Sequence, residues 1–169
     1  MTSPPTETAN DDREALSSLL RATWFGASLD APTIERLAAL AHRRTAKGGE
    51  VLLVEGGRSD EFGVVVSGRL ALRMLVPERG MVTILTVEPG DLYGWSAIAA
   101  PQRATSTVVA IEPSELIALD GMGLRLALAE DDRLAAALYP RVLEAVSRRL
   151  SATRLQLLDL FTHRETDPW

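Results

Sequence analysis

The sequence predicts a single domain of the α+β class, with a set of short β-strands between N-terminal helices and a long C-terminal helix. Turn-forming clusters of Gly, Pro and Asp separate short apolar runs about ten residues apart through the middle of the chain. On both sides of this region, apolar residues recur at intervals of three and four, the period of amphipathic helices. The length of 169 residues and the hydrophobic content of 46% suit one sizeable core.

The N-terminal part predicts a tail followed by two helices. Residues 1–14 are rich in acidic side chains and poor in apolar ones, which predicts a disordered acidic tail. Residues 14–22 and 30–44 carry apolar side chains at helical spacing. Asp30 is placed to cap the second helix, and Pro32 lies in its first turn, where proline is tolerated.

The central part predicts a small all-β unit. Within one strand, Leu70, Leu72 and Met74 alternate with Ala71 and Arg73, as one buried and one solvated face require. Six strands are expected, at residues 51–54, 62–66, 70–76, 82–87, 107–112 and 116–119.

The C-terminal part predicts a short helix around Leu124 and then a long helix over residues 132–163, in which Pro140 is expected to start or kink the helix. Apolar residues follow steps of four and three along the long helix, which is a heptad seam. We therefore expect a parallel helix dimer, with packing of the helix on the β unit as the alternative. The expected seam residues are Leu143, Val146, Leu150, Leu157 and Leu160.

Composition excludes several classes of function. The formal net charge is −5, so the chain is not suited to coat DNA through its phosphates. There are no cysteines, which excludes disulfides, thiolate metal sites and cysteine nucleophiles. Two isolated histidines offer neither a metal site nor a catalytic triad, so we expect no enzyme. Without a signal peptide or a long apolar run, the protein is expected to be cytoplasmic and not bound to a membrane.

The segment with the clearest chemical signal runs from residue 90 to residue 107. A glycine followed by a short helical turn exposes backbone N–H groups, and together with Arg103 and nearby hydroxyls these groups would hold an anion such as a phosphate. The alternative is an ordinary loop between strands with an exposed Arg103.

Several motifs in sequence order resemble the cyclic nucleotide-binding domain of the Crp/Fnr superfamily. They are Gly-Glu-Val-Leu at 49–52 with Glu-Gly at 55–56, the run 62–70, and Pro-Gly-Asp-Leu-Tyr-Gly at 89–94. The resemblance covers residues 15–161. It implies a β-roll (a double-stranded β-helix, jelly-roll-like) closed by helices, with a long C-terminal dimerisation helix.

The resemblance also implies a ligand site. Its phosphate-binding cassette corresponds to Gly94, Trp95, Ser96, Ala97, Arg103, Ala104, Thr105 and Ser106. On the dimer helix, Arg149 and Thr153 match residues that lie near the bound base. Thr153 has a second interpretation, because a polar seam residue can fix the register of a helix dimer without touching a ligand. Cyclic AMP or cyclic GMP are the candidate ligands, and no other cofactor is expected.

This chain departs from the family pattern at two positions of the cassette. Trp95 stands where members that bind cyclic nucleotides have the glutamate that accepts the ribose hydroxyl. Ala104 stands where the cassette arginine belongs, and Arg103 lies one residue early, which turns it to the other face unless a bulge restores it. Trp95 would either stack on a flat ligand or fill the cavity with its own ring, and we favour filling.

The expected function is that of a non-enzymatic regulatory or sensor protein. The family's DNA-binding regulators carry a winged helix-turn-helix after the dimer helix, whereas this chain has only a tail at 164–169, so no direct DNA binding is expected. We expect a homodimer that binds a small anionic ligand and acts through another protein. The alternatives are a ligand-free adaptor whose pocket is plugged by Trp95, and a Crp/Fnr-type transcriptional regulator that binds cyclic AMP or cyclic GMP.

Overall fold

The computed structural model describes residues 5–162, with the side chains of residues 10–155 and 158. The four α-helices within this range are α1 (Pro5–Ala22), α2 (Ala31–Leu40), α3 (Gly121–Glu130) and α4 (Asp132–Thr162). The strands are β1 (Ala41–Ala46), β2 (Val51–Leu53), β3 (Glu61–Ser67), β4 (Leu70–Val76), β5 (Gly80–Val87), β6 (Leu92–Tyr93), β7 (Thr107–Ala110) and β8 (Ser114–Asp120). The predicted α+β class is confirmed.

The strands form two four-stranded antiparallel sheets. The first sheet has the order β1-β8-β3-β6 and the second has the order β2-β7-β4-β5. Val65 and Leu116 of the first sheet pack with Leu70 and Val108 of the second in one buried cluster. This arrangement is that of the β-roll that we expected, with a hydrophobic core between the two sheets.

The central strands of the first sheet, β3 and β8, are buried on both faces, because the helices cover the other side of the sheet. Val64 and Ile117 belong to a second buried cluster with Leu20 of α1, Leu124 of α3 and Leu138 of α4. Burial on both faces explains why β3 and β8 are continuous apolar runs without a polar alternation. None of the helices in residues 5–162 has the length and apolar character needed to cross a bilayer.

The second predicted helix is shorter than expected, because residues 41–46 form β1 and not the end of a helix. This strand pairs antiparallel with β8 from Ala41 opposite Leu119 to Ala46 opposite Ser114. Pairing covers the backbone groups that β8 would otherwise expose at the edge of the sheet, and this long-range gain overrides the local helical period. Asp30 caps α2 as predicted, accepting a hydrogen bond from the Thr33 N–H at 3.0 Å.

Two further expectations about the helices are wrong. Helix α1 begins at Pro5, so residues 5–14 of the expected disordered tail are helical. Burial of Leu16 and Leu20 offsets the unfavourable free energy of helix nucleation. The helix then extends towards the N-terminus, where Pro5 occupies its first position. Pro140 does not start α4, because the helix begins at Asp132 and continues through this proline, whose side chain is exposed. The expected kink at Pro140 stays a prediction. The expected tail at 164–169 lies outside the described residues.

A buried polar network fixes β3 to β6. The Tyr93 hydroxyl donates a hydrogen bond to the Glu61 carboxylate at 2.7 Å, and the same carboxylate pairs with the Arg44 guanidinium at 2.5 Å. Burial and the neighbouring carboxylate raise the pKa of Tyr93, so the phenol stays a hydrogen-bond donor. The Tyr93 ring covers Gly63, where a Cβ atom would lie 2.5 Å from two ring carbons.

The substitution Gly63→Ala tests this packing. We expect the new methyl group to push the Tyr93 ring out of place and to lower the free energy of unfolding by about 1–3 kcal/mol, as overpacking of a core does. Urea denaturation measures the change. Gly48→Ala is the matched control, because its Cβ would meet the nearest backbone atoms at an ordinary 3.5 Å. Equal urea midpoints for the two variants would contradict this account of β3 and β6.

Candidate functional site

A cavity of about 300 Å³ lies between the second sheet, the turn after β6, the segment before β7 and helix α4. Most of its wall residues are apolar, and six of the sixteen come from the strands of the second sheet. The lining residues are Leu53, Leu72, Met74, Ile84, Leu85, Gly94, Trp95, Ser96, Ala104, Thr105, Ser106, Val108, Val146, Arg149, Leu150 and Thr153.

Gly94 sets the direction of the turn after β6. Its φ of 67° is in the left-handed region, and a Cβ atom at this position would lie 2.1 Å from the Glu61 carbonyl oxygen. The turn leads into a single turn of 3₁₀-helix, Trp95–Ala97, as the sequence predicted. Ser96 in this turn donates a hydrogen bond from its hydroxyl to Ser59 at 3.1 Å. The backbone therefore passes too close to β3 for any residue except glycine.

Six of the eight expected cassette residues line the cavity: Gly94, Trp95, Ser96, Ala104, Thr105 and Ser106. The structure places the other two elsewhere. Ala97 is fully buried in the core below the turn. The Arg103 side chain is exposed and donates a hydrogen bond to the Gly56 carbonyl oxygen at 2.7 Å. Ala104 is therefore the cavity residue of this pair, and Arg103 contacts the loop around Gly56 instead.

Trp95 lies in the cavity wall and is partly exposed. About 300 Å³ stays open beside it, so the Trp95 ring does not fill the cavity. On its other side, Trp95 contributes to an apolar surface groove with Tyr139, Pro140 and Leu143 of α4. Trp95 thus connects the cavity wall with the outer surface of α4.

Helix α4 closes the cavity with Val146, Arg149, Leu150 and Thr153, so both expected base-side residues lie on its wall. The Arg149 guanidinium donates a hydrogen bond to the Leu92 carbonyl oxygen. The Thr153 hydroxyl donates to the Arg149 carbonyl oxygen at 2.9 Å. Burial lowers the pKa of Arg149, although the nearby Asp91 carboxylate opposes part of this effect.

The cavity wall contains one charged residue, Arg149, and no carboxylate. Among the described residues, no carboxylate forms an ion pair with the Arg149 guanidinium. Asp91 is the nearby acid, and it pairs with Arg148 at 2.6 Å. The cavity therefore offers an anion one half-buried guanidinium and a few hydroxyls.

The sequence analysis missed the contacts that dock α4. The Trp24 ring lies between two guanidinium groups, with the Arg141 Cζ atom 4.2 Å and the Arg148 Cζ atom 3.7 Å from the ring centroid. Arg141 also donates to the Phe25 carbonyl oxygen at 3.2 Å. These partners are more than 100 residues apart in the chain, so no local pattern indicates them.

The outer surface of α4 carries an exposed apolar stripe on the expected seam, formed by Tyr139, Leu143 and Leu150, and farther along the helix Leu155 and Leu158 are exposed on a second flank. Leu143 is the most exposed of them, at 67%. The stripe follows the expected seam through Leu150, whereas the side chains of the seam residues Leu157 and Leu160 lie outside the described residues. An apolar surface of this extent along one helix is typical of an interaction site.

Comparison with known proteins assigns this chain to a family. The family model of the cyclic nucleotide-binding domain matches residues 43–131, which is more than half of the chain. A search of curated proteins gave no match.

Solved structures agree with the family match. A protein from Geobacter metallireducens described as cyclic nucleotide-binding is 25% identical, with a TM-score of 0.71 over 79% of this chain and 97% of its own. The N-terminal domain of a transcriptional regulator from Streptomyces coelicolor is 29% identical, with a TM-score of 0.62 over 82% of this chain and 94% of its own.

A cyclic nucleotide-binding domain from Methylobacillus flagellatus shares the fold, with 19% identity and a TM-score of 0.74 over 89% of this chain and 85% of its own. Because the family model matches more than half of the chain and solved members share its fold, the chain belongs to the cyclic nucleotide-binding domain family.

Proposed function

We propose that this chain is a non-enzymatic regulatory domain that binds a small anionic ligand in the β-roll cavity and signals through α4 to another protein, as a homodimer. One observation carries the proposal: α4 forms a wall of the cavity and also presents an exposed apolar stripe. The regulatory character of the relatives supports it, since one of them is the N-terminal domain of a transcriptional regulator.

The same residues of α4 serve both surfaces. Val146 and Leu150 line the cavity, and they are also consecutive positions of the heptad seam between Leu143 and Thr153. A ligand that contacts these residues changes the relative free energy of two placements of α4 against the β-roll. Because the same residues form the seam, the favoured placement also changes the packing against the second copy. This arrangement couples binding and helix pairing without any further element.

Direct DNA binding is not part of the proposal. Two arginines of α4 are already paired within the fold, Arg141 with Glu144 at 2.7 Å and Arg148 with Asp91 at 2.6 Å. The net charge of −5 adds no long-range attraction to a polyanion.

The substitution Leu143→Glu tests the homodimer. Two facing carboxylates on the seam repel each other and lose the apolar contact, so we expect this variant to be monomeric while the wild type is dimeric. Multi-angle light scattering measures the mass. Leu126→Glu on α3 is the matched control, because Leu126 is 57% exposed and lies off the seam. A Leu143→Glu variant that keeps the dimer mass would show that α4 does not form the interface.

Thermal unfolding with a panel of cyclic nucleotides and small organic acids tests ligand binding. A ligand present at about 100 times its Kd stabilises the fold by roughly 2.7 kcal/mol, which raises the Tm of a domain of this size by about 5–10 °C. We expect at least one compound to give a saturable rise. If none does, the protein is an adaptor without a ligand, and the sensing part of the proposal is wrong.

A further inference from the structure

We infer that the cavity takes an apolar molecule with a single carboxylate, held by Arg149, and not a cyclic nucleotide. This inference rests on the proposed ligand-binding function and specifies the chemistry of the ligand. Three properties of the cavity lead to it: its apolar wall, its one cation, and the position of that cation on α4.

The wall suits an apolar body. Of its sixteen residues, eight are Leu, Ile, Met or Val, and the volume of about 300 Å³ lies at the lower end of the range for ligand pockets. Two of the four wall hydroxyls, those of Ser96 and Thr153, already donate to protein oxygens. A ribose and a base would bury hydroxyls and ring nitrogens with few partners, and each unpaired group weakens binding.

Arg149 provides the polar end of the site. Its guanidinium has five N–H donors, and one of its nitrogens donates to the Leu92 carbonyl oxygen. The remaining donors have the planar geometry that a carboxylate accepts with both oxygens. Among the described residues no carboxylate forms a direct ion pair with this half-buried cation, and Asp91 acts on it only from a longer distance. A ligand carboxylate would therefore compensate its lost hydration.

The number and place of the charges limit the ligand further. Arg103 is absent from the cavity wall and donates to the Gly56 carbonyl oxygen. Arg125 donates to the Ala97 carbonyl oxygen of the turn after β6, and it is also absent from the cavity wall. An anion in the cavity beside this turn therefore meets no guanidinium on the wall, whereas an anion at α4 meets Arg149. A second anionic group would be buried against apolar side chains without a partner, so a monoanion fits and a dianion does not.

Isothermal titration with 2-naphthoate and its neutral amide, 2-naphthamide, tests the inference, with cyclic AMP as the third probe. We expect 2-naphthoate to bind about ten- to a hundred-fold more tightly than the amide, the ratio that one charged hydrogen-bonded pair provides. Cyclic AMP is expected not to compete with 2-naphthoate.

Variants locate the effect at one side chain. Arg149→Leu should bring the affinity ratio of the two probes close to one, and Arg149→Lys should retain part of it. Arg103→Leu is the matched control, because the same change outside the cavity should leave the ratio unchanged. The ratio compares two ligands on one protein, so a loss of stability in the Arg149→Leu variant does not change its meaning.

Each other outcome overturns the inference in a distinct way. Equal affinities for the acid and the amide, or a preference that survives Arg149→Leu, would show that Arg149 does not hold the anion. Tight binding of cyclic AMP would refute the ligand class but leave the proposed ligand-binding function intact. Binding of none of the three probes in the titration, together with no thermal shift in the panel, would refute both.

Discussion

The docking of α4 against the turn before β6 is the contact on which the cavity depends. Without it, the four residues that α4 contributes would leave the wall and the cavity would be an open groove. Buried apolar contacts such as those of Leu138 and Val142 supply most of the energy, since exposed ion pairs contribute little. Arg148 and Arg149 instead fix the rotation of the helix, because Arg148 binds the Asp91 carboxylate of the turn and Arg149 binds the Leu92 carbonyl oxygen of β6.

Much of the fold follows from local sequence patterns, and the exceptions share one cause. The strands with turn signals on both sides and the apolar period of α4 are evident in the sequence. β1 is not, because residues 41–44 continue the helical period of α2, and residues 41–46 become a strand only by pairing with β8, 68 to 78 residues away. β6 is only two residues long, and its pairing with Gly63 and Val64 of β3 leaves no periodic signal.

In the candidate site, too, the sequence predicted the local features and not those that depend on long-range contacts. The sequence indicated Gly94 and the hydroxyls around it, because a glycine before a helical turn is a local pattern. The sequence left open whether the Arg103 side chain faces the cavity or the outside. The structure shows that it lies outside the cavity, bound to the Gly56 carbonyl oxygen. The apolar wall from Leu53, Met74 and Ile84 comes from three strands, and only the folded sheet brings them together.

The claim that one helix serves as cavity wall and dimer interface is tested most directly by the distance between the two copies of α4. The chain has no cysteine, so a nitroxide on Ser151→Cys, an exposed α4 position that is absent from the cavity wall, labels one site per copy. Double electron–electron resonance should give one short distance in the empty dimer, which changes when calorimetry shows 2-naphthoate bound. A distribution that stays the same with the ligand bound, or no dipolar coupling at all, would contradict the account.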